Sequence, residues 1–471
     1  MEICSWYPFI FYKYNGTNST IKSNERIAVS PYKEYDETRN NLQELVPDKD
    51  WFFDNMSSLL HSIGLPNIFH FSENENASYA NCVLWSRNIY LSFTIIHDVE
   101  NTLYWFSIKT WTKNCMNSFM VRDNSENVFN AKCIISSYNI YYSSYIKNSD
   151  NIWFSNNLIW CHECIDCNDL ENASYYIKNK QYDVDEYHKR KKEILSHKDM
   201  FEQYATNKYV SWNNYNSTNT QNSSYVVESE DIINGQYLSE ISHARNAILV
   251  GWNGSGEHVY DCLLNTPELS HIYWWLSLWT GTDHIYCSMH ITVWSHIYYS
   301  IYCQSCSFCL GCIWLKNRSF CIFNKQYSKE DRHTKVDEIF SQMERDWTLG
   351  DFFPGEMNPF YFNDTAAHLI DPSFTKEEAT RKWYLRRDEE ISVDIPEWMD
   401  VVAVDDLSNY EWFDENGKRN IDPIILKKVI RDEKWNIYRI VQMEYDFLVK
   451  HELPLPRKHR LDRIKENFRV D

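Results

Sequence analysis

The sequence predicts a mainly β fold: two tandem β-solenoid arrays, parallel β-helix-like, of units about twelve residues long, with helical arms and a small α+β C-terminal module. Three observations predict it. First, a block is duplicated. Residues 161–182 read CHECIDCNDLENASYYIKNKQY and residues 306–327 read CSFCLGCIWLKNRSFCIFNKQY, so that three cysteines, a later Asn, a Ser-aromatic pair and a closing NKQY superimpose. Second, each block ends a run of short units. Third, apolar or small residues recur at every third position of a unit, whereas a helix repeats them every 3.6 residues and a plain strand every two.

The units of the first array are SRNIYLSFTIIH from 86, ENTLYWFSIKTW from 100, TKNCMNSFMVRD from 112, SENVFNAKCIIS from 125, SYNIYYSSYIKN from 137, SDNIWFSNNLIW from 149 and CHECIDCNDLEN from 161, with NENASYANCVLW from 74 ahead of them. Position 1 is mostly Ser or Cys. Position 4 is apolar (Ile89, Leu103, Val128, Ile140, Ile152), position 7 small (Ser92, Ser118, Ala131, Ser143, Ser155) and position 10 apolar (Ile95, Val121, Ile134, Ile146, Leu158, Leu170). These four columns are the expected interior. The second array repeats the scheme with GEHVYDC at 256, LSHIYWW at 269, TDHIYCS at 282 and WSHIYYS at 294. β-Branched and aromatic residues dominate, as strands prefer. Stacking of neighbouring units supplies the stability. Whether one coil takes one unit or two is left open by the pattern.

Taken in order, residues 1–73 form a capping region, in which WFFDNMSSLLHSIG (51–64) has helical spacing and is expected to cover the first coil of the first array. Residues 74–182 are that array. Residues 183–229 hold a charged helical arm, DVDEYHKRKKEILSHKDMFEQY, and an Asn/Ser-rich linker (205–229) of the kind that stays mobile. Residues 230–327 are the second array, and 328–390 its arm, SKEDRHTKVDEIFSQMERDW, with loops carrying Pro354, Pro359 and Pro372. The C-terminal module, 391–471, ends in a helix, a Pro-bracketed turn and a basic tail. The tail charges (Arg457, Lys458, Arg460, Arg463, Lys465, Arg469) are expected to be a solvated surface.

A net charge of −19 and a pI near 5.3 exclude nucleic acid as the partner of the bulk of the chain, because phosphate neutralisation needs a basic face. Apolar runs fall short of the roughly 18 residues that a membrane span requires. The N-terminal MEICSWYPFIFYKYNG has an acidic residue where a signal peptide carries a basic one, and lacks a small-residue cleavage site. A cytoplasmic protein with no membrane partner is therefore expected. Composition holds one anomaly: 11 glycines against 19 tryptophans in 471 residues, where glycine is usually ~7%. Some bacterial lineages read UGA as glycine, and a gene from such a lineage translated with UGA as tryptophan would show this exchange. Trp275 falls in column 7, where Cys262, Ser288 and Ser300 are its equivalents. It and Trp314 are expected to be glycines in the cell.

Three columns carry candidate chemistry. Cys303, Cys306, Cys309 and Cys312 are candidate ligands for zinc or iron, since thiolate clusters favour both. Yet C-x-x-C-x-x-C is also the solenoid period itself. Of the twelve cysteines within 86–327, ten fall in inward columns, Cys133 and Cys287 being the exceptions. Buried thiols thus stand beside a metal, with disulfides third in a reducing compartment. His258, His271, His284 and His296 occupy position 3, where the first array has Asn88, Asn114, Asn127, Asn139 and Asn151. Stacked imidazoles could bind a metal or sense pH, or simply form a polar ladder, as stacked Asn does. Position 5 is aromatic: Tyr90, Tyr104, Phe129, Tyr141 and Trp153, then Tyr260, Tyr273, Tyr286 and Tyr298. Such a strip either stacks a sugar or protein partner, or packs under the chain's own helices.

Nucleophile elbows, glycine-rich phosphate loops and HExxH are absent. Asp150 and Asp283 lack the partner column that a polysaccharide-lyase groove would need. No catalytic or cofactor-binding residue emerges. The reading is a non-enzymatic repeat scaffold or binding protein for a protein or glycan partner, presenting an aromatic and polar solenoid face. The alternatives are a metal-binding protein using the C-x-x-C-x-x-C elements, and a carbohydrate-binding or polysaccharide-active β-helix protein.

Through Cys306, Cys309, Cys312, the NKQY at 324–327 and the LPLPR at 453–457, the chain resembles a family of cysteine-rich repeat proteins from candidate bacterial phyla known through metagenomes. The resemblance spans roughly residues 45–471. Its members carry short repeats ending in C-x-x-C-x-x-C, an N-K-Q-Y segment, an acidic helix and a terminal P-L-P-R. Many add terminal zinc-ribbon cysteine pairs, which are missing here: Lys458 and His459 follow the PLPR, and the N-terminus has only Cys4. The resemblance implies repeats without an established activity, and lineages of this kind include readers of UGA as glycine.

Overall fold

A left-handed backbone residue at every third position builds the coil. In the computed structural model, φ is positive at Asn127, Asn130, Cys133, Ser136, Asn139, Tyr142, Tyr145, Asn148, Asn151, Phe154, Asn157 and Trp160, and the series continues to Lys178. Two extended residues followed by one left-handed residue make one side and one corner, and four such triplets close a coil. Asn dominates the corners because its short amide tolerates the left-handed region. The structure describes residues 51–66, 74–77, 79–206, 296–365, 367–368, 375–387 and 395–468, with short stretches elsewhere (6, 12–14, 17–19, 29–30, 44–45, 214–215, 217–220, 224–227, 236–239, 244–245, 259–260, 262–263, 275–279 and 287–292).

One unit makes one coil. Strands Glu126–Phe129, Tyr138–Tyr141, Asp150–Trp153 and His162–Ile165 pair in parallel, with Val128, Ile140, Ile152 and Cys164 in register. Strands Lys132–Ile135, Ser144–Lys147, Asn156–Ile159 and Asn168–Glu171 do the same on the other side, aligning Ile134, Ile146, Leu158 and Leu170. Columns 4 and 10 form the continuous apolar core. Columns 1 and 7 are small for a second reason. Their backbone N–H groups face inward, and each donates to the Ser Oγ of the preceding coil: Ser149 N to Ser137, Cys161 N to Ser149, Ser155 N to Ser143 and Cys167 N to Ser155, at 2.9–3.1 Å. Each Ser hydroxyl donates in turn to the carbonyl two residues back. Serine thus satisfies donors that the strand ladders miss, which a buried backbone requires.

The earliest coils correct the column assignment. Glu100 pairs with Lys113, Thr102 with Cys115 and Leu103 with Met116, so Thr102 faces the interior and Leu103 lies in the outward column. The coils beginning at Ser86, Val99 and Thr112 each hold one extra residue, absorbed at a corner with two consecutive left-handed residues: His97–Asp98, Thr110–Trp111 and Asp123–Asn124.

The chain divides into two compact units, residues 1–68 with 211–387, and residues 69–210 with 388–469. In the first unit, α1 (Phe52–Ile63) buries Phe52, Phe53, Met56, Leu59 and Leu60 and ends at Gly64. Its partner within the unit is the second array. Phe52 meets Tyr299 and Phe323 of the second array at 5.1 and 5.3 Å, and Leu45 N donates to Phe323 O. Gly311 sits at a left-handed corner beneath it, where a Cβ would come within 2.7 Å of Phe323. In the same unit Ile297 pairs with Cys309, Leu310 with Ile322, and bridges join Ile301 to Ile313 and Gln304 to Lys316, repeating the coil scheme. In the second unit the arm forms two helices, α2 (Val184–Ser196) and α3 (Lys198–Thr206). The second arm is one helix, α4 (Lys329–Arg345). A short helix, α5 (Lys376–Arg381), follows in the first unit. The C-terminal module is α+β: strand Val429–Arg431 between Val401–Ala403 and Ile437–Tyr438, a hairpin of Glu411–Phe413 with Arg419–Ile421, then α6 (Gln442–Lys450) and α7 (Arg460–Phe468). Most of the 205–229 linker lies outside the described residues. No described helix is long and apolar enough to cross a membrane.

Candidate functional site: the sealed end of each array

The duplicated block builds one device twice. In an ordinary coil the N–H at position 8 donates to the position 7 carbonyl of the next coil, as Lys132 does to Ser143. The last coil has no successor. Asn179, left-handed at φ 58°, supplies one with its side chain: Oδ1 accepts from Asn168 N and Nδ2 donates to Asn168 O, both at 2.8 Å. Asn324, at φ 67°, does the same for Ile313 at 2.9 and 3.0 Å. The Lys-Gln pair then folds back, pairing antiparallel with the last strand at Ile177↔Lys180 and Ile322↔Lys325. Asp183 and Ser328 cap the following helices by accepting from Glu186 N and Asp331 N. NKQY is therefore an end seal, a role the sequence pattern did not disclose because its hydrogen bonds reach eleven residues back.

The helices return over the sealed coils. Tyr187 of α2 is fully buried, and Lys191 pairs with Glu163 at 2.5 Å. In the second copy Arg332 of α4 is buried, and its Nε donates to Phe308 O at 3.0 Å.

Beneath these seals lie the thiol rows. Cys303, Cys306, Cys309 and Cys312 occupy four successive inward positions, which is one full turn of the coil, and each is at most 2% exposed. Cys161, Cys164 and Cys167 fill three such positions in the first array. Each sulfur faces the carbonyl two residues back, as the Ser hydroxyls do: Cys161 to Ile159, Cys167 to Ile165, Cys306 to Gln304 and Cys312 to Leu310, at 3.2–3.5 Å. The thiols also contact one another. The neighbouring Cys303 and Cys309 thiols hold the Cys306 thiol down, while burial pushes Cys303 up and the adjoining thiols push Cys309 up. Cys164 sits between Cys161 and Cys167 in the same way, raised while they are lowered. Among the described residues, no three His, Cys, Asp or Glu side chains come together so as to hold a metal ion. Cys133 and Cys287 are left-handed corner residues, outside the interior columns.

The position 3 column is a polar ladder in the first array. Asn88, Asn101, Asn114, Asn127, Asn139 and Asn151 pass hydrogen bonds from one amide to the next at 2.9–3.3 Å. Of the histidine column, His258, His271 and His284 lie outside the described residues. His296 is a left-handed corner stacked on Phe308 at 4.5 Å.

The aromatic strip of the first array is covered by its own unit's C-terminal module. Phe129 stacks on Phe447 at 6.0 Å, and the Tyr141 hydroxyl shares a hydrogen bond with His451 Nδ1 at 2.8 Å. Tyr104, left-handed at φ 55° within the strand Glu100–Lys109, donates to Glu444 Oε2 at 2.8 Å, and Arg463 Nη1 donates to Glu444 Oε1 at 2.9 Å. The basic tail is thus not solvated throughout, because Arg463 is drawn into a buried pair. Burial holds His451 and His459 down, each to about 4. Tyr298 meets Phe340 of α4 at 5.6 Å. Tyr273 and Tyr286 lie outside the described residues, and of Tyr260 only the strand Val259–Tyr260 is described. Asp150 accepts from Asn151 and pairs with His162 at 2.5 Å in a surface cluster. No family model, curated protein or solved structure matches the chain.

Proposed function

We propose that this chain is a non-enzymatic scaffold that presents the polar corners of its solenoid to a protein or glycan partner. The supporting observation is how the first array disposes of its surfaces. Its interior is filled, its last coil is sealed by Asn179, and its aromatic strip lies under α6 and α7. The Asn ladder and the charged column beside it (Arg87, Glu100, Lys113, Glu126) stay accessible, repeating at the coil spacing. A rigid row of amides at ~4.8 Å intervals suits a partner that offers its own regular polar groups. In the second array, Tyr260, Tyr273 and Tyr286 with His258, His271 and His284 are the candidate contacts from the sequence, and all but Tyr260 lie outside the described residues.

The test incubates the full chain with a polysaccharide panel and with proteins of the source cell, scoring both retention and bond cleavage. Retention that is lost in a folded Asn127→Asp/Asn139→Asp variant supports the reading. New reducing ends or unsaturated sugars would overturn it in favour of an enzyme.

A further inference from the structure

We infer that Trp347, Trp383 and Trp435 are glycines in the cell, inserted by a glycine-charged tRNA that reads UGA. The inference rests on backbone geometry outside the arrays, where no coil imposes a left-handed corner. From residue 328 onward, the described residues with positive φ are Gly350 and Gly417, the three tryptophans and Glu452. β-Carbon sterics disfavour this region for every residue but glycine, and a bulky side chain there is an outlier.

Each of the three positions is one that glycine normally fills. After α4, Trp347 N donates to Glu344 O and Thr348 N to Met343 O. After α5, Trp383 N donates to Thr380 O and Tyr384 N to Ala379 O. Both are complete Schellman terminations with tryptophan at the left-handed C′ position, where glycine is the usual residue. Trp435 has a comparator in the same chain. In the hairpin Asp414–Lys418, Asp414 N donates to Lys418 O, Gly417 N to Asp414 O, and Asp414 Oδ1 accepts from Asn416 N and Lys418 N. In Asp432–Asn436, Asp432 N donates to Asn436 O, Trp435 N to Asp432 O, and Asp432 Oδ1 accepts from Lys434 N and Asn436 N. The two turns are superimposable bond for bond, with Gly417 at φ 78° where Trp435 stands at φ 66°.

The indoles are largely exposed, although Arg431 lies over the Trp435 ring at 4.6 Å. Trp347, Trp383 and Trp435 are 90%, 70% and 73% exposed. Trp153 is the contrast: it lies in a strand, is buried, and stacks on Tyr141 at 4.1 Å. Trp275 joins the three on other grounds, since it pairs in register with Cys262 and with the fully buried Ser288. Trp314 is left-handed as well, at φ 62°, but it lies at a coil corner, is 1% exposed and packs on Tyr302 at 4.8 Å, so it is not one of the positions argued from here. A consequence for function is that three exposed indoles, the usual platforms for stacking a sugar, drop out of any binding surface.

The test reads the codons of the gene and the peptides of the protein isolated from its own cells. UGA at 347, 383 and 435, UGG at 153, and peptide masses with glycine at the three positions are expected. UGG at the three codons, or tryptophan in the peptides, overturns the inference. In recombinant protein the Trp347→Gly/Trp383→Gly/Trp435→Gly variant should unfold at a higher temperature than the tryptophan form, and a lower midpoint would count against it.

Discussion

Replacing one asparagine in each copy of the end seal should give unequal losses, and the inequality follows from burial. Asn324 is 5% exposed, and its amide is the partner of both Ile313 N and Ile313 O. Asn324→Ala leaves a buried donor and a buried acceptor unpaired, at about 1–3 kcal/mol each. A further ~1 kcal/mol comes from placing alanine in the left-handed region at φ 67°. The total is about 3–7 kcal/mol, a large fraction of the roughly 5–15 kcal/mol that holds a domain folded. Asn179 makes the same two bonds at an exposed site, where water replaces the lost partner. Asn179→Ala should therefore cost only ~1–2 kcal/mol, most of it backbone strain. Urea unfolding of the full chain and of each variant, with the midpoint and slope read separately, measures both. Asn324→Asp keeps the acceptor and loses the donor, so it should fall between. Equal losses at the two sites, or none at Asn324, would refute the idea that the amide stands in for a missing coil.

Two further outcomes are expected. His451 and His459 are held at about 4 by burial, below the ~6.5 of an unfolded histidine. A depressed histidine contributes stability that is fully present above the unfolded value and lost as pH falls from there through the folded one. The second unit should accordingly lose on the order of 2 kcal/mol per histidine between about pH 6.5 and 4, after allowing for partial exposure; denaturant melts at pH 7 and 4.5 would check this, and His451→Gln/His459→Gln should flatten the slope. Glu444 is fully buried between Tyr104 and Arg463, so Glu444→Met should cost about 3–5 kcal/mol by stranding the guanidinium, while Glu444→Met/Arg463→Met should cost less than the single change. A double variant worse than the single one in thermal melts would contradict this account of the pair.

The period of three was legible because each triplet turns one residue inward, and Val128, Ile140, Ile152 and Ser143, Ser155 carry that periodicity undisturbed. It slipped at Leu103, where a doubled left-handed corner adds a residue without altering the apolar pattern enough to mark the shift. The Asn ladder was legible because identical amides recurred at one position. The role of NKQY was not, since a side chain replacing an absent coil leaves no local periodicity. The target of α1 and the burial of Arg463 were hidden for a related reason. Both depend on pairings hundreds of residues apart, Phe52 with Phe323 and Glu444 with Tyr104, which no local spacing encodes. Burial of the thiols at Cys161–Cys167 and Cys303–Cys312 was foreseeable from their columns alone.

These cysteines are the interior of a sealed coil, taking the place of serine. The most direct measurement is metal content together with thiol reactivity of the full chain, purified without chelator. Zinc and iron are expected well below one ion per chain, with thiols that react with a water-soluble reagent only after denaturation. Stoichiometric zinc or iron, lost when Cys306 and Cys309 are changed to serine in a chain that still folds, would contradict it and place a metal centre in the turn formed by Cys303, Cys306, Cys309 and Cys312.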